Sequence, residues 1–172
     1  MNEADYNGLS TFSCGVKALD DFFLYEVKEC VIHHYFAAYS VVTSDGDIVA
    51  AFTLANDALM IGSQTEKEDF INDLKYDTDE DVVDFLSHQT SYPSINIGHL
   101  AVSTPFQGKG IGTLIVDVVA ETYAKHKHSG CQFITVDALN KSSVTKFYYK
   151  NLFSFQTISD ASSSTRRMYK IL

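Results

Sequence analysis

The stretch that most constrains this chain is HLAVSTPFQGKGIGTLIVDVVAETY, residues 99–123. An apolar run gives way to three glycines within five residues, Gly108, Gly110 and Gly112, and then to apolar positions with a helical period. Strand, glycine loop and helix in that order leave unpaired backbone N–H groups at the positive end of a helix dipole. An anion seated there gains about 1 kcal/mol from the dipole besides its hydrogen bonds. Glycine lets the backbone approach a phosphate oxygen to contact distance. A turn without a ligand has no reason to bear the conformational-entropy cost of three clustered glycines. Lys109 either adds charge to such a site or is solvated.

The elements around the loop bound the fold. Leu19, Phe22, Phe23, Glu26, Val27 and Cys30 recur at three- and four-residue steps and predict a first helix over 16–33. Two strand-like runs, YFAAYSVVT and IVAAFTLA, flank an Asp-Gly pair and predict a hairpin. After Pro93, SINIGHLAV reads as a buried strand whose interior Gly98 marks a bulge or a close backbone approach. Leu114, Ile115, Val118, Val119 and Tyr123 predict a helix over 113–127. The segment 131–139 reads as a strand, KSSVTKFYYKNL as a helix, and FSFQTI and RRMYKIL as closing strands, with a turn at Ser162–Ser164. One βαβ unit inside an antiparallel pattern means an α+β fold with a mixed, mostly antiparallel central sheet flanked by helices. The expectation is one domain over residues 1–172.

Composition excludes several classes. No apolar run approaches the roughly 20 residues of a membrane-spanning helix. The N-terminus has neither the basic flank nor the apolar core of a signal peptide, and the three cysteines lack metal-ligand spacing. The expectation is a cytoplasmic protein with reduced cysteines and no metal. Net charge is −9, concentrated in residues 64–88, where nine acids stand against Lys67 and Lys75. That segment precedes the central strand and is expected to hold short helices. It reads either as a solvated helical face, with Phe70, Leu74, Val82, Val83, Phe85 and Leu86 supplying buried positions, or as an acidic rim that attracts cationic substrates and repels nucleic acid.

Spacing separates the candidate loops. No register gives the G-x-x-x-x-G-K-[ST] of a P-loop. The dinucleotide pattern G-x-G-x-x-G fails because the sixth position from Gly108 is Thr113. Asp137 stands where a ribose-binding acid would, but too little chain follows it for a doubly wound fold. Gln107-Gly108-Lys109-Gly110-Ile111-Gly112 resembles the Q/R-x-x-G-x-G/A motif of the GCN5-related N-acetyltransferases, and HLAV resembles that family's central strand. A second segment, VDALNKSSVTKFYYKNLF, is similar to the family's strand–Asn–helix run ending F-Y-x-x-x-G-F. Leu152 replaces the usual glycine there, which puts the turn in question.

The resemblance implies acetyl-CoA as co-substrate. Gln107, Gly108, Lys109, Gly110, Ile111, Gly112 and Thr113 would cradle its pyrophosphate, and Leu100, Ala101, Val102, Asn140 and Phe147 would line the pantetheine arm. Tyr148 would face the thioester sulfur. A phenol suits that place, because a departing thiolate is stabilised by a nearby acid of comparable pKa. Backbone N–H groups freed near Gly98–Leu100 would hold the acetyl oxygen. His99 is the titratable side chain of that strand, and it either takes a proton from the acceptor ammonium or is a packed side chain. His33, His34, His126 and His128 read as cations at helix ends.

Phe12, Cys14-Gly15, Leu19-Asp20 and the aromatic pair after them resemble acetyltransferases of the toxin–antitoxin type, which act on aminoacyl-tRNA. Two departures stand against carrying that activity over: His99 occupies a position where that group commonly has arginine, and the acidic segment opposes phosphate binding. The basic clusters Lys125–His128 and Arg166-Arg167 are small. The expected activity is transfer of acetyl to a primary amine of a small molecule, polyamine or protein in a ternary complex. Aminoacyl-tRNA and a non-catalytic acyl-CoA-binding module are the alternatives, and a homodimer is left open.

Overall fold

An Asp-Gly pair brings the first two strands together. In the computed structural model, β1 (Ala37–Val42) and β2 (Ile48–Met60) pair antiparallel. The turn between them is closed by a bond from the Thr43 N–H to the Asp47 carbonyl, with Gly46 at φ 93°. The structure describes residues 1–76, 78–125 and 130–172, apart from the side chains of residues 3 and 4. His126 and His128, and with them part of the basic cluster beginning at Lys125, lie outside the described residues.

The remaining strands are β3 (Ser91–Val102), β4 (Phe133–Leu139), β5 (Ser154–Phe155) and β6 (Thr165–Ile171). They form a six-stranded sheet in the order β1-β2-β3-β4-β6-β5, and β6 runs antiparallel to both β4 and β5. Seven α-helices accompany them among the described residues. Two of them, α1 (Glu3–Gly8) and α2 (Lys17–Asp21), come at the start of the chain. The expected first helix is observed as α2, a π-helical turn over Phe22–Glu26, and α3 (Val27–Ile32). Phe22, Phe23 and Val27 enter the core, as the helical period predicts. Among the described residues no helix is long and apolar enough to cross a membrane.

Two compact units divide the chain, and each has its own core. The first comprises Met1–Asn56 and Asn96–Lys125. Leu9, Phe12, Phe22, Phe23, Val27 and Ala51 pack together in it. Within it, the helix after the glycine loop is α6 (Ile111–Lys125), which buries Ile115, Val116 and Val119 while Leu114 and Val118 face solvent.

The second unit comprises Asp57–Ile95 and His126–Leu172. The acidic segment folds there into α4 (Gln64–Leu74) and α5 (Glu80–Ser87). Ser63 caps α4 by accepting the Glu66 N–H at 3.2 Å, an ordinary N-terminal signature. Phe70, Leu74, Val83 and Leu86 are buried, whereas Val82 and Phe85, expected inside, are exposed. Phe70 meets the rings of Tyr92, Phe133 and Tyr169 at centroid distances of 5.2, 5.7 and 5.2 Å. Such contacts contribute about 0.5–1.5 kcal/mol each beyond area burial and anchor the acidic helices. Lys67 fastens them further: its ammonium donates to the Leu86 carbonyl at 2.9 Å and also bonds the Gln89 carbonyl and the Tyr92 hydroxyl. A cation at those carbonyls complements the C-terminal end of α5. The acids of α5 and most of those of α4 point to solvent, as a solvated helical face requires. The last helix is α7 (Ser142–Lys150).

Candidate active site

In the first unit, the glycine loop runs from Gln107 into the first turn of α6, after a short 3-10 turn (Thr104–Phe106) that follows β3. Gly108 and Gly110 have φ 72° and 80°, the left-handed region that glycine enters without penalty. A Cβ added at either would meet no protein atom within 4 Å, so the loop presents bare backbone to open space. The first turn of α6 supplies N–H groups that have no partner within the helix. Lys109 lies over the Phe106 ring at 5.2 Å, and its charge stays close to the loop. This arrangement holds an anion by amide hydrogen bonds and a helix dipole.

Gln107 has a role that its place in the motif does not reveal. Its side-chain amide donates to the Cys14 carbonyl at 2.8 Å and to the Val102 carbonyl at 2.9 Å. Cys14 is itself held by Asp20, whose carboxylate accepts the Cys14 N–H at 2.8 Å and the Ser13 hydroxyl at 2.7 Å. Burial works to raise the Asp20 pKa, but the hydrogen bonds from Cys14, Ser13 and Gly15 outweigh it, and the carboxylate sits below its usual range. Burial first, then Asp20, pushes the Cys14 thiol up to about 11, so it is no nucleophile. The Thr104 N–H adds a bond to the Ser13 carbonyl at 2.9 Å. The N-terminal Cys-Gly…Leu-Asp motif is therefore a strap that braces the start of the glycine loop. Asp20 and Cys14 were visible as a motif, but nothing in the sequence tied them to Gln107.

On β3, the half-buried His99 packs against the core. Its ring lies flat on Phe22, with centroids 3.6 Å apart and planes 10° apart, and Phe23 meets it edge-on at 6.2 Å. The Thr53 hydroxyl, itself buried, accepts the His99 backbone N–H at 3.0 Å and lies 3.1 Å from Nδ1. Burial lowers the His99 pKa, so the imidazole is neutral. Of the amides expected to be free near Gly98, that of His99 is thus occupied. The same contact explains Gly98, where an added Cβ would lie 3.1 Å from the Thr53 Oγ1: the glycine marks a close approach. Leu100 and Val102 are half-buried and Ala101 is buried.

In the second unit, Tyr148 is buried on α7, edge-on to Phe147 at 5.0 Å and to Phe153 at 5.3 Å. Burial raises its pKa well above the usual phenol value, so the hydroxyl stays protonated. No described residue hydrogen-bonds that hydroxyl. The turn put in question by Leu152 keeps its form. Leu152 takes φ 66°, the Phe153 N–H bonds the Tyr148 carbonyl at 3.1 Å, and the Leu152 N–H bonds the Tyr149 carbonyl at 3.1 Å. That is a Schellman turn with leucine where glycine is usual, and its accompanying apolar contact is the Tyr148–Phe153 pair. Asn140 donates both amide hydrogens, to the Ala161 and Ser163 carbonyls at 2.9 Å each. Its Oδ1 is what remains for a ligand N–H. Among the described residues no group of three or more His, Cys, Asp or Glu is arranged to hold a metal.

Comparison with known proteins bears on this geometry. A family model described as Acetyltransferase (GNAT) family matches residues 19–152. Among solved structures, one described as a bacterial toxin superposes with a TM-score of 0.73 at 17% identity, covering 99% of this chain and 87% of its own. A mutant of KacT superposes with a TM-score of 0.67 at 20% identity, covering 95% and 86%. AtaT in complex with acetyl-methionyl-tRNAfMet gives 0.66 at 19% identity, covering 92% and 85%. No curated protein sequence matches the chain significantly.

Proposed function

The chain belongs to the acetyltransferase (GNAT) family, and on that premise we propose that it acetylates a primary amine of a small molecule, polyamine or protein by direct attack in a ternary complex. It is an acyl-CoA-dependent N-acetyltransferase with acetyl-CoA as co-substrate. Coenzyme A supplies the acetyl group as a thioester. The loop 107–113 holds the pyrophosphate by backbone amides, and Oδ1 of Asn140 accepts from an amide of the pantetheine arm. As the acceptor nitrogen bonds the acetyl carbon, the carbon–sulfur bond breaks and the leaving thiolate takes the Tyr148 proton; the proton shed by the acceptor nitrogen passes to solvent water, from which the phenolate is reprotonated. The protonated, unpartnered phenol supports that assignment. In this reading His99 is a packing residue, its ring stacked on Phe22.

One observation carries the choice of acceptor. The adjacent Arg166 and Arg167, the described basic cluster of the C-terminal strand, are committed internally. Arg166 bonds Asp160 at 2.5 Å, and Arg167 bonds Asp57 and, at 2.8 Å, Asp137. Three carboxylates on two guanidiniums leave no net positive charge for a phosphate backbone, and α4 and α5 expose acids.

A second reading, acetylation of aminoacyl-tRNA, is favoured by the fold likeness to KacT and AtaT, the latter solved with acetyl-methionyl-tRNAfMet. The experiment is transfer of labelled acetyl from acetyl-CoA to polyamines, lysine peptides and aminoacyl-tRNA in parallel. Label in the amines or peptides supports the proposal, and label confined to tRNA replaces it with the second reading. Binding of acetyl-CoA without transfer to any acceptor would replace both with a regulatory module.

A further inference from the structure

A cleft of about 460 Å³ opens in the second unit where the end of α4 meets β5 and β6. That volume falls within the roughly 300–1,000 Å³ of small-molecule sites. None of its lining residues belongs to the set assigned to coenzyme A.

Its walls carry opposite charges. Asp73 comes from α4 and Lys170 from β6. Burial, and then the neighbouring Asp69, raises the Asp73 pKa. One hydrogen of the Lys170 ammonium is donated to the Asn151 carbonyl at 3.0 Å, which leaves two for another acceptor. The Tyr169 phenol is raised by burial and then by the charge of Asp73, so it stays a donor. Leu74, Leu152 and Ile171 supply apolar wall.

Leu152 is the telling residue. Its φ of 66° costs a side-chain-bearing residue about 1–2 kcal/mol, and glycine would close the same Schellman turn without that cost. Its side chain gains little from burial, being 76% exposed. A strained backbone whose side chain lies on the wall of a charged cleft points to a use for that side chain.

We propose that this cleft binds a free α-amino acid with a branched aliphatic side chain. Asp73 takes the ammonium, Lys170 takes the carboxylate, and Leu152 with Leu74 and Ile171 takes the side chain. The two charges of such a ligand match the two of the cleft, whereas an ion of one sign leaves one wall unpaired and desolvated.

Calorimetric titration of the full chain, without acetyl-CoA, tests this with three probes. They are L-leucine, 4-methylpentanoate (no ammonium) and 3-methylbutylamine (no carboxylate). Leucine is expected to bind roughly tenfold or more tightly than either analogue. Asp73→Asn should weaken leucine roughly tenfold and spare the acid, and Lys170→Met should weaken leucine as much and spare the amine. Leu152→Gly keeps the fold, because glycine suits that φ, and should weaken leucine several-fold. The inference is overturned if leucine gives no heat up to its solubility limit, if the analogues bind as well as leucine, or if the three variants bind leucine unchanged. Acetyl-CoA titrated into the same samples should bind all variants equally, which separates this outcome from that of the acetyltransferase reading.

Discussion

The Gln107 side chain donates to the Cys14 carbonyl across 93 residues of sequence, at 2.8 Å. With its second bond to Val102 it fixes where the glycine loop begins, and Asp20 fixes Cys14 in turn. Gln107→Ala removes the brace while leaving the loop amides in place. We expect acetyl-CoA to bind roughly tenfold more weakly, equivalent to about 1.4 kcal/mol, with turnover at saturation unchanged. Titration calorimetry beside steady-state kinetics reads both, and an unchanged dissociation constant would show that the brace is idle.

Gly110 separates folding from ligand exclusion. At φ 80° a valine costs stability of about 1–2 kcal/mol, yet its Cβ meets no protein atom within 4 Å. Its side chain would stand where a phosphate approaches the amides. Gly110→Val should therefore remain folded by circular dichroism and lose acetyl-CoA affinity by roughly a hundredfold or more. Retained affinity would move the phosphate site elsewhere.

His99 carries a pH signature. Its folded-state pKa lies below the ordinary histidine value of about 6.5, so the unfolded chain binds its proton more readily. The contribution of the neutral ring is full above about pH 6.5 and is lost as pH falls through the lower, folded pKa. Urea denaturation from pH 7.5 downwards should show stability declining below about 6.5, and His99→Gln should flatten that decline. An equal slope in both proteins would mean that other groups set it.

Leu152→Gly should stabilise the chain by about 1 kcal/mol by relieving the left-handed leucine, a rise in Tm of about 2–4 °C. A fall in Tm would mean that the leucine side chain contributes packing beyond what its exposure indicates.

Much of the fold was legible because its signals are local. The Asp-Gly turn at 45–46, the glycine loop and the Asn140…Phe147-Tyr148 run each specify structure through neighbours in sequence. What escaped depends on distant partners or on backbone detail. A π-helical turn over Phe22–Glu26 leaves no mark in a helical period. Thr53 beneath His99 is brought there by strand pairing across 46 residues, which no local pattern announces. Leu152 departs from the motif's glycine, yet the Schellman hydrogen bonds hold the same turn at an energetic cost. Val82 and Phe85 satisfied the apolar pattern of α5 but face solvent, since Val83 and Leu86 already fill its inner side.

In the proposed reaction acetyl passes from coenzyme A to an amine with Tyr148 as the acid. Thiol release from acetyl-CoA, followed across a panel of amines for the unmodified chain and for Tyr148→Phe, tests it most directly. Amine-dependent release is expected to fall roughly a hundredfold in the variant, with acetyl-CoA affinity within about twofold. Amine-dependent release at the same turnover number in both proteins would contradict it.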